Sequence, residues 1–500
     1  MPPASTKTQA RPTSTSNRST TPNSESFKAY IGMNWAGQPE TLPAAREAAA
    51  FAALRRERLS AHYPGVRLLI PAGALKQRSN DMDYPFRAHS AFAWLTGWGS
   101  DSQPGAVLVF EPVRDGHDVT LYFRERAGRD SDEFYSNPEI GEFWIGPRPS
   151  LAQVAADLGI ATRDIAELDR VLDVAADLAL AETHPTVTVA DADASTTAAL
   201  GFRSRSAAER DARFARDLSE LRLVKDDYEV DQLRAAIAAT ARGFSDVLAD
   251  LPRSRGHARG ERLIEGVFNG RARAEGNATG YNTIAAAGTH ACILHWTQND
   301  GPVVDGDLCL LDAGVEMESY YTADITRTFP VNGKYSPAQR KVYDVVLEAA
   351  DAAFAAARPG VRFRDIHNAA MSVIAHRTAE WGLLPVTASE ALEEDNQQHR
   401  RYMVHGTGHH LGLDVHDCAQ ARREMYLDGV LEPGMVFTIE PGLYFHPDDL
   451  TVPMELRGIG VRIEDNILVT AHGAENLSAL IPRTADDVEA WIDHLQERTS

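Results

Sequence analysis

The 500-residue sequence predicts two successive domains that mix helices and strands, behind a disordered tail. Three observations carry this reading. Short β-like apolar runs alternate with helical stretches up to about residue 205. A charged and then Ala-rich helical composition replaces them over residues 207–230. Beyond that point, β-like runs repeatedly end in acids, and histidines gather in one Gly-rich segment.

Met1–Phe27 is rich in Ser, Thr, Pro and Asn and nearly devoid of aliphatic residues, so it cannot offset the entropy of ordering. Lys7, Arg11 and Arg18 give it a faint transit-peptide character, but Pro2, Pro3, Pro12 and Pro22 oppose an amphipathic helix there. An α/β domain is expected over residues 28–210. A helix over Ala44–Tyr63 lies between Pro43 and Pro64-Gly65. Strands are expected at Val66–Ile70, Ala106–Phe110 and Val119–Phe123, with a helix at Leu151–Leu158. Trp94, Trp98 and Trp144 read as packing residues. The second domain is expected over residues 220–500, its first long helix opening at Lys225–Val230. Ser336-Pro337-Ala338-Gln339 then reads as a capping box starting a helix that Pro359-Gly360 stops.

Charge and cysteine content exclude whole classes of function. Lys and Arg total 50 against 71 Asp and Glu, a net charge of −21. Binding to nucleic acid or to an anionic membrane needs a basic face, so neither is expected. No run of about 18 apolar residues is present, and no membrane span is expected. Cys292, Cys309 and Cys418 form no CxxC pair, which argues against a disulfide scaffold and fits a reducing cytoplasm.

The first chemical signal is Leu308–Gly314 followed by Thr322–Thr328. Were they a hairpin with its tip near Glu318, Asp312 and Asp324 would lie opposite each other. Their carboxylates would then repel unless something positive lay between them. The second signal is a pair of β-runs, Val436–Ile439 ending at Glu440 and Val461–Ile467 bearing Glu464. In the latter, Arg462 and Glu464 share one face while Val461 and Ile463 point into a core. The third is His405-Gly406-Thr407-Gly408-His409-His410, with His416-Asp417 after it. His405 and His409 are spaced for one helical face, but the glycines favour an irregular loop. There is no HExxH, so a single-zinc peptidase helix is not supported. Two aspartates, two glutamates and one histidine carry four negative charges, matched to two divalent cations. Oxygen-dominated ligation favours Mn²⁺, with Co²⁺ and Zn²⁺ competent by geometry.

The strings YNTI (281–284), CILHW (292–296), LLDAG (310–314), DITRTFPVNGK (324–334), HGTGHHLGLDVHD (405–417), EPGMVFTIEPGLY (432–444) and RGIGVRIEDNI (457–467) form one set. This set resembles the Xaa-Pro aminopeptidase (aminopeptidase P) branch of the pita-bread metallopeptidases. Tyr84-Pro85-Phe86-Arg87 and Phe92–Gly97 resemble that family's N-terminal domain. The resemblance implies an α/β N-terminal domain of the creatinase/aminopeptidase P type and an α+β pita-bread catalytic domain. It implies that Asp312, Asp324, His409, Glu440 and Glu464 ligate two metals, usually Mn²⁺. Asp324 and Glu464 would bear on both ions. His295, His405 and His416 would contact substrate and handle protons, and Arg462 would orient the ligands. A metal-bridging hydroxide would attack the carbonyl before proline, with Glu440 taking and passing its proton. The implied partners are peptides with proline second and further copies of the chain, as dimer or tetramer.

Three departures stand out. The spacing from Asp312 to Asp324 is one residue longer than the family pattern, placing an extra residue near Met317–Tyr321. His410 stands where the family has an aromatic residue, so either neighbouring histidine could ligate, though the GHHLGLDVHD frame selects His409. Cys418–Ala421 lacks the family's Gly and Tyr. The alternatives are a prolidase confined to Xaa-Pro dipeptides, a metal-free binding module on the same fold, and a creatinase-like hydrolase. The last two are disfavoured because all five donors are present.

Overall fold

The computed structural model describes residues 21–80, 82–176, 185–201 and 203–497. It divides into two compact units, Met1–Ala212 and Arg213–Ser500. Residues 1–20, with the transit-peptide-like Lys7, Arg11 and Arg18, lie outside the described residues. The expected tail is corrected at its end, because Glu25–Ile31 is helical. The Ser24 hydroxyl accepts from the Phe27 amide and caps that first turn.

The N-terminal unit is built on a five-stranded sheet. Its strands are β1 (Arg67–Pro71), β2 (Val107–Val113), β3 (Gly116–Phe123), β4 (Ala161–Asp164) and β5 (Thr186–Thr188), in the order β4-β3-β2-β1-β5. β1 is antiparallel to β2, and β2 and β3 form a hairpin, while β4 and β5 pair parallel to their neighbours. Every residue of β1 is buried, Leu68–Pro71 as an apolar run and Arg67 with its guanidinium paired to Glu111. Helix α1 (Ala48–His62) begins four residues later than expected. The Arg46 amide donates to the Asp157 carbonyl and its guanidinium pairs with Asp101 and Asp157, holding this stretch outside the helix. Trp94 and Trp98 are buried, whereas Trp144 is exposed.

In the C-terminal unit, α2 (Asp227–Ser254) opens with a capping box between Asp226 and Glu229, and α3 (Gly260–Glu275) follows. Strands β6 (Ile284–Ala287), β7 (Leu308–Ala313) and β8 (Ile325–Pro330) form an antiparallel sheet with β7 in the middle. α4 (Pro337–Ala356) starts at the Ser336 capping box, and α5 (Phe363–Glu380) follows it. β9 (Val436–Ile439) pairs with β12 (Asp465–Thr470), and β10 (Gly442–Tyr444) pairs with β11 (Gly460–Arg462). Tyr343 and Val346 of α4 and Ile366 and Ile374 of α5 share one core with Phe437, Leu443, Val461, Ile463 and Ile467. One side of these strands is committed to that core, which leaves the alternate residues for a site. The period-two run over 461–467 is interrupted at Ile463–Glu464, where β11 ends and β12 begins.

The β7–β8 hairpin differs from its expected register. Asp312 pairs with Thr326, and Ala313 with Ile325, so Asp324 lies beyond the last strand pair. The tip is centred on Ser319: Tyr320 adopts φ +71°, its amide donates to the Met317 carbonyl, and the Met317 amide donates to Tyr321. Moving the tip by one residue moves the pairing by two, which preserves the face each side chain occupies. Asp312 and Asp324 are thus diagonal neighbours rather than directly opposed. Gly314 permits the crossing just before the tip, since a Cβ there would lie 1.7 Å from the Ala323 carbonyl oxygen.

Candidate metal centre

Asp312 ends the apolar run of β7 and is held from two sides. The Tyr281 hydroxyl donates to its Oδ1 at 2.6 Å, and Arg462 pairs with its Oδ2. Arg462 also donates through Nε to Thr326 Oγ1 at 3.1 Å and through Nη1 to the Tyr444 hydroxyl at 3.1 Å. The Thr326 hydroxyl in turn donates to Glu464 Oε2 at 2.7 Å. Asp324 is anchored by its backbone, its amide donating to Asn466 Oδ1 at 3.2 Å.

The histidine segment is not a helix. It runs beside β9, with the Leu411 amide donating to Val436, the Thr438 amide to His409 and the Glu440 amide to Thr407. This pairing puts neighbouring residues on opposite sides. His409 faces the acids: its Nε2 is 3.2 Å from Asp324 Oδ2 and 3.5 Å from Glu440 Oε1. Its Nδ1 lies 3.2 Å from the His410 carbonyl, which can only accept, so Nδ1 keeps its proton and Nε2 is the nitrogen that a cation would take in exchange for a proton. His410 points the other way, its ring 4.8 Å from that of Phe363 and 4.7 Å from that of Tyr426. It fills an aromatic position with an imidazole, and of the two neighbouring histidines only His409 stands at the acids.

Ligand atoms of Asp324, His409 and Glu464 lie within 4.8 Å of one another. Around them a cavity of about 700 Å³ is lined by Asp312, Asp324, His409, Glu440 and Glu464 together with His295, His405, His416 and Arg462. Every site residue singled out in the sequence therefore borders one space. His405 Nε2 sits 2.8 Å from the Tyr444 hydroxyl, and the His416 ring lies tilted by 41° with its centroid 4.0 Å from that of His409.

Residues 231–471 match the model of metallopeptidase family M24, and residues 52–181 match that of the aminopeptidase P N-terminal domain. Xaa-Pro aminopeptidase 1 of Streptomyces coelicolor is 53% identical over 448 residues, covering 90% of this chain and 88% of the relative. Xaa-Pro aminopeptidase of Escherichia coli is 34% identical over 443 residues, covering 86% and 94%. The chain belongs to the Xaa-Pro aminopeptidase branch of metallopeptidase family M24. Among solved structures, Pseudomonas aeruginosa aminopeptidase PepP superposes with a TM-score of 0.76 at 31% identity, covering 91% of this chain and 100% of that one. A zinc-substituted Escherichia coli aminopeptidase P in complex with product gives 0.75 at 32% identity, covering 90% and 99%. The two units accordingly carry the aminopeptidase P type α/β fold and the α+β pita-bread fold.

In this M24 metallopeptidase the electrostatics suit a divalent cation. Burial, then the neighbouring Asp324, Glu440 and Asp312, push the Glu464 carboxyl well above its usual range. Burial also raises Asp324, and it raises Glu440 to about 7 against the opposing pull of His409. Burial opposes the charge on His409, but Asp324 and Glu440 overcome it and lift that histidine to about 9. Glu464 Oε1 is buried without a hydrogen-bond partner among the described residues. A set of carboxylates that resists ionisation, plus an acceptor oxygen with nothing to accept, fits a bound cation. Burial lowers His405 to about 3 and His416 to about 4, leaving both neutral at physiological pH.

The sequence reading assigned no role to several residues that build this site. Tyr281 and Tyr444 lay inside quoted motifs, yet their hydroxyls brace Asp312, Arg462 and His405. Thr326 links Arg462 to Glu464. Arg327 is fully buried, donating to Asp465 at 2.7 Å and to the Glu464 carbonyl at 2.7 Å. Both lie in the DITRTFPVNGK motif and on the period-two alternation of β8, which places them on opposite faces without showing their partners.

Proposed function

We propose that this chain is a cytoplasmic dinuclear metalloaminopeptidase that releases the N-terminal residue from peptides whose second residue is proline. Asp312, Asp324, His409, Glu440 and Glu464 would hold two divalent ions, with Asp324 and Glu464 shared between them. The carrying observation is the convergence of Asp324, His409 and Glu464 ligand atoms within 4.8 Å, with Glu440 beside them. An oxygen-rich donor set with one imidazole favours Mn²⁺, and Co²⁺ or Zn²⁺ can compete. The names of the relatives support the substrate, and three free, buried cysteines fit a reducing compartment.

When bound, the ions supply an activated water and neutralise charge developing on the scissile carbonyl. The chain's own residues do the rest. Glu440, raised to about 7 in the absence of ions, is suited to take a proton at its carboxylate and return it to the leaving nitrogen. Neutral His416, with His295 beside it on the cavity wall, can present an N–H to the carbonyl oxygen and a bare ring nitrogen to the N–H groups of the peptide N-terminus. Arg462 pairs with Asp312 and aims it while it orders Thr326 and Tyr444. The leaving nitrogen of an Xaa-Pro bond carries no N–H, so recognition there rests on shape.

Metal stoichiometry measured with a peptide panel tests this reading. Two ions per chain and cleavage of Arg-Pro-Pro are expected. Cleavage confined to Ala-Pro would make the protein a prolidase, and a preparation without metal affinity or hydrolysis would overturn the enzyme itself.

A further inference from the structure

Glu261 is a wholly buried carboxylate in the first turn of α3, outside the metal centre. Its Oε1 accepts from the Ala287 amide at 2.8 Å and from His290 Nδ1 at 2.8 Å. Its Oε2 accepts from the Trp296 indole at 2.9 Å and from the Gly301 amide at 2.7 Å. The Glu261 amide donates back to the Gly301 carbonyl at 3.2 Å, and the Arg262 guanidinium donates to the Gln298 carbonyl at 2.7 Å. The His290 ring stacks on Trp296 at 3.9 Å, closing the cluster. Gly301 is required by this packing: a Cβ there would lie 2.6 Å from His290 Cε1 and 2.9 Å from Glu261 Oε2.

All four partners of the carboxylate lie within residues 287–301, and the same segment carries Leu294, His295 and Thr297 to the wall of the cavity. We propose that Glu261 is a positioning residue whose carboxylate clamps the 287–301 segment and thereby aims His295 at the substrate. It does not line the cavity with His295, so it acts through the loop. The Ala287 and Gly301 amides and the Trp296 indole can only donate, and they face both carboxylate oxygens, so an amide of the same shape turns part of the clamp into donor facing donor. Leaving such donors buried and unmatched is costly, and the loop relaxes to relieve it.

The part played by His295 rests on the proposed function, so the test has two arms. Amide hydrogen exchange needs no substrate: Glu261→Gln should accelerate exchange across 288–301 while β7 stays protected. Unchanged protection of that segment overturns the clamp. In the second arm, Glu261→Gln should lower kcat for an Xaa-Pro peptide about 10–100-fold with metal content retained. Placed on His295→Ala it should add less than about twofold, since the two changes break one arrangement. Multiplicative losses in the double variant overturn the aiming role. If Glu261→Gln does not fold, Trp296→Phe removes one donor only and is read in both arms with the same signs. Wild-type protein that cleaves no Xaa-Pro peptide defeats the proposed function instead, and the exchange arm still decides the clamp.

Discussion

Two buried charge clusters of the C-terminal unit meet the same desolvation penalty and answer it in opposite directions. Around Asp417, Lys225 Nζ sits at 2.8 Å and Arg222 Nη2 at 3.0 Å. Burial works against that carboxylate, yet the two cations hold it well below its usual range. At the metal centre, burial pushes Asp324, Glu440 and Glu464 upward, and their mutual repulsion adds to it. The first cluster is closed by the chain's own cations. The second sets Arg462 and His409 against four carboxylates, and the proposed ions would supply the missing positive charge. The sign of a buried acid's shift thus separates a charge site built to be self-sufficient from one built to receive an ion.

The sharpest way to break the contrast is at the ligands. Asp324→Asn or Glu464→Gln should cut peptide hydrolysis about a thousandfold or more, with metal content falling alongside. Near-wild-type rates under Mn²⁺ saturation would remove the metal centre from the comparison. At the self-sufficient cluster the loss should appear in stability instead. Lys225→Met leaves Asp417 with Arg222 alone, and denaturant unfolding should show destabilisation of about 3 kcal/mol. Tyr281→Phe removes a brace from Asp312 and should weaken metal affinity about 10–100-fold, read by titration calorimetry.

Chelation gives a milder effect with a definite sign. Without ions, Glu440 near 7 and His409 near 9 bind protons more tightly folded than unfolded, so stability is present at low pH and lost as pH rises through those values. The melting temperature of chelator-treated protein should therefore fall between pH 7 and pH 9, with less change in the metal-loaded form. His405 and His416 do not oppose this, since both are neutral above about pH 7 in either state. The smallest effect is expected at His410. His410→Phe fits the pocket made by Phe363 and Tyr426 and should keep full activity, with stability altered by less than about 1.5 kcal/mol. A loss of metal there would return the ligand assignment to His410.

How much could be read from the chain alone follows the same division. Asp312, Glu440 and Glu464 each stand at or beside the end of an apolar β-run, so each was legible singly from local pattern, whereas their meeting at one cavity was implied by the family resemblance. The hairpin register was not, because it depends on Tyr320 adopting a left-handed conformation that no glycine announces. Helix starts marked by capping boxes at Asp226 and Ser336 could be read, while the start of α1 was moved by the pairing of Arg46 with distant aspartates. Arg327, Lys225 and Glu261 escaped notice for one reason. Each looks like an ordinary surface charge in its own segment, and each finds its partners in segments the sequence does not place beside it.

The Glu464 amide donates to the Thr326 carbonyl, and the Thr322 amide donates to Gly412. The hairpin that bears two of the proposed ligands is thus finished by segments that leave the ribosome much later. A nascent chain halted between Asp324 and Glu464 has the first proposed ligands without the last. Capture of the proposed ions would thereby wait for the last of these acids to be made, and products truncated before it would gain no hydrolytic power.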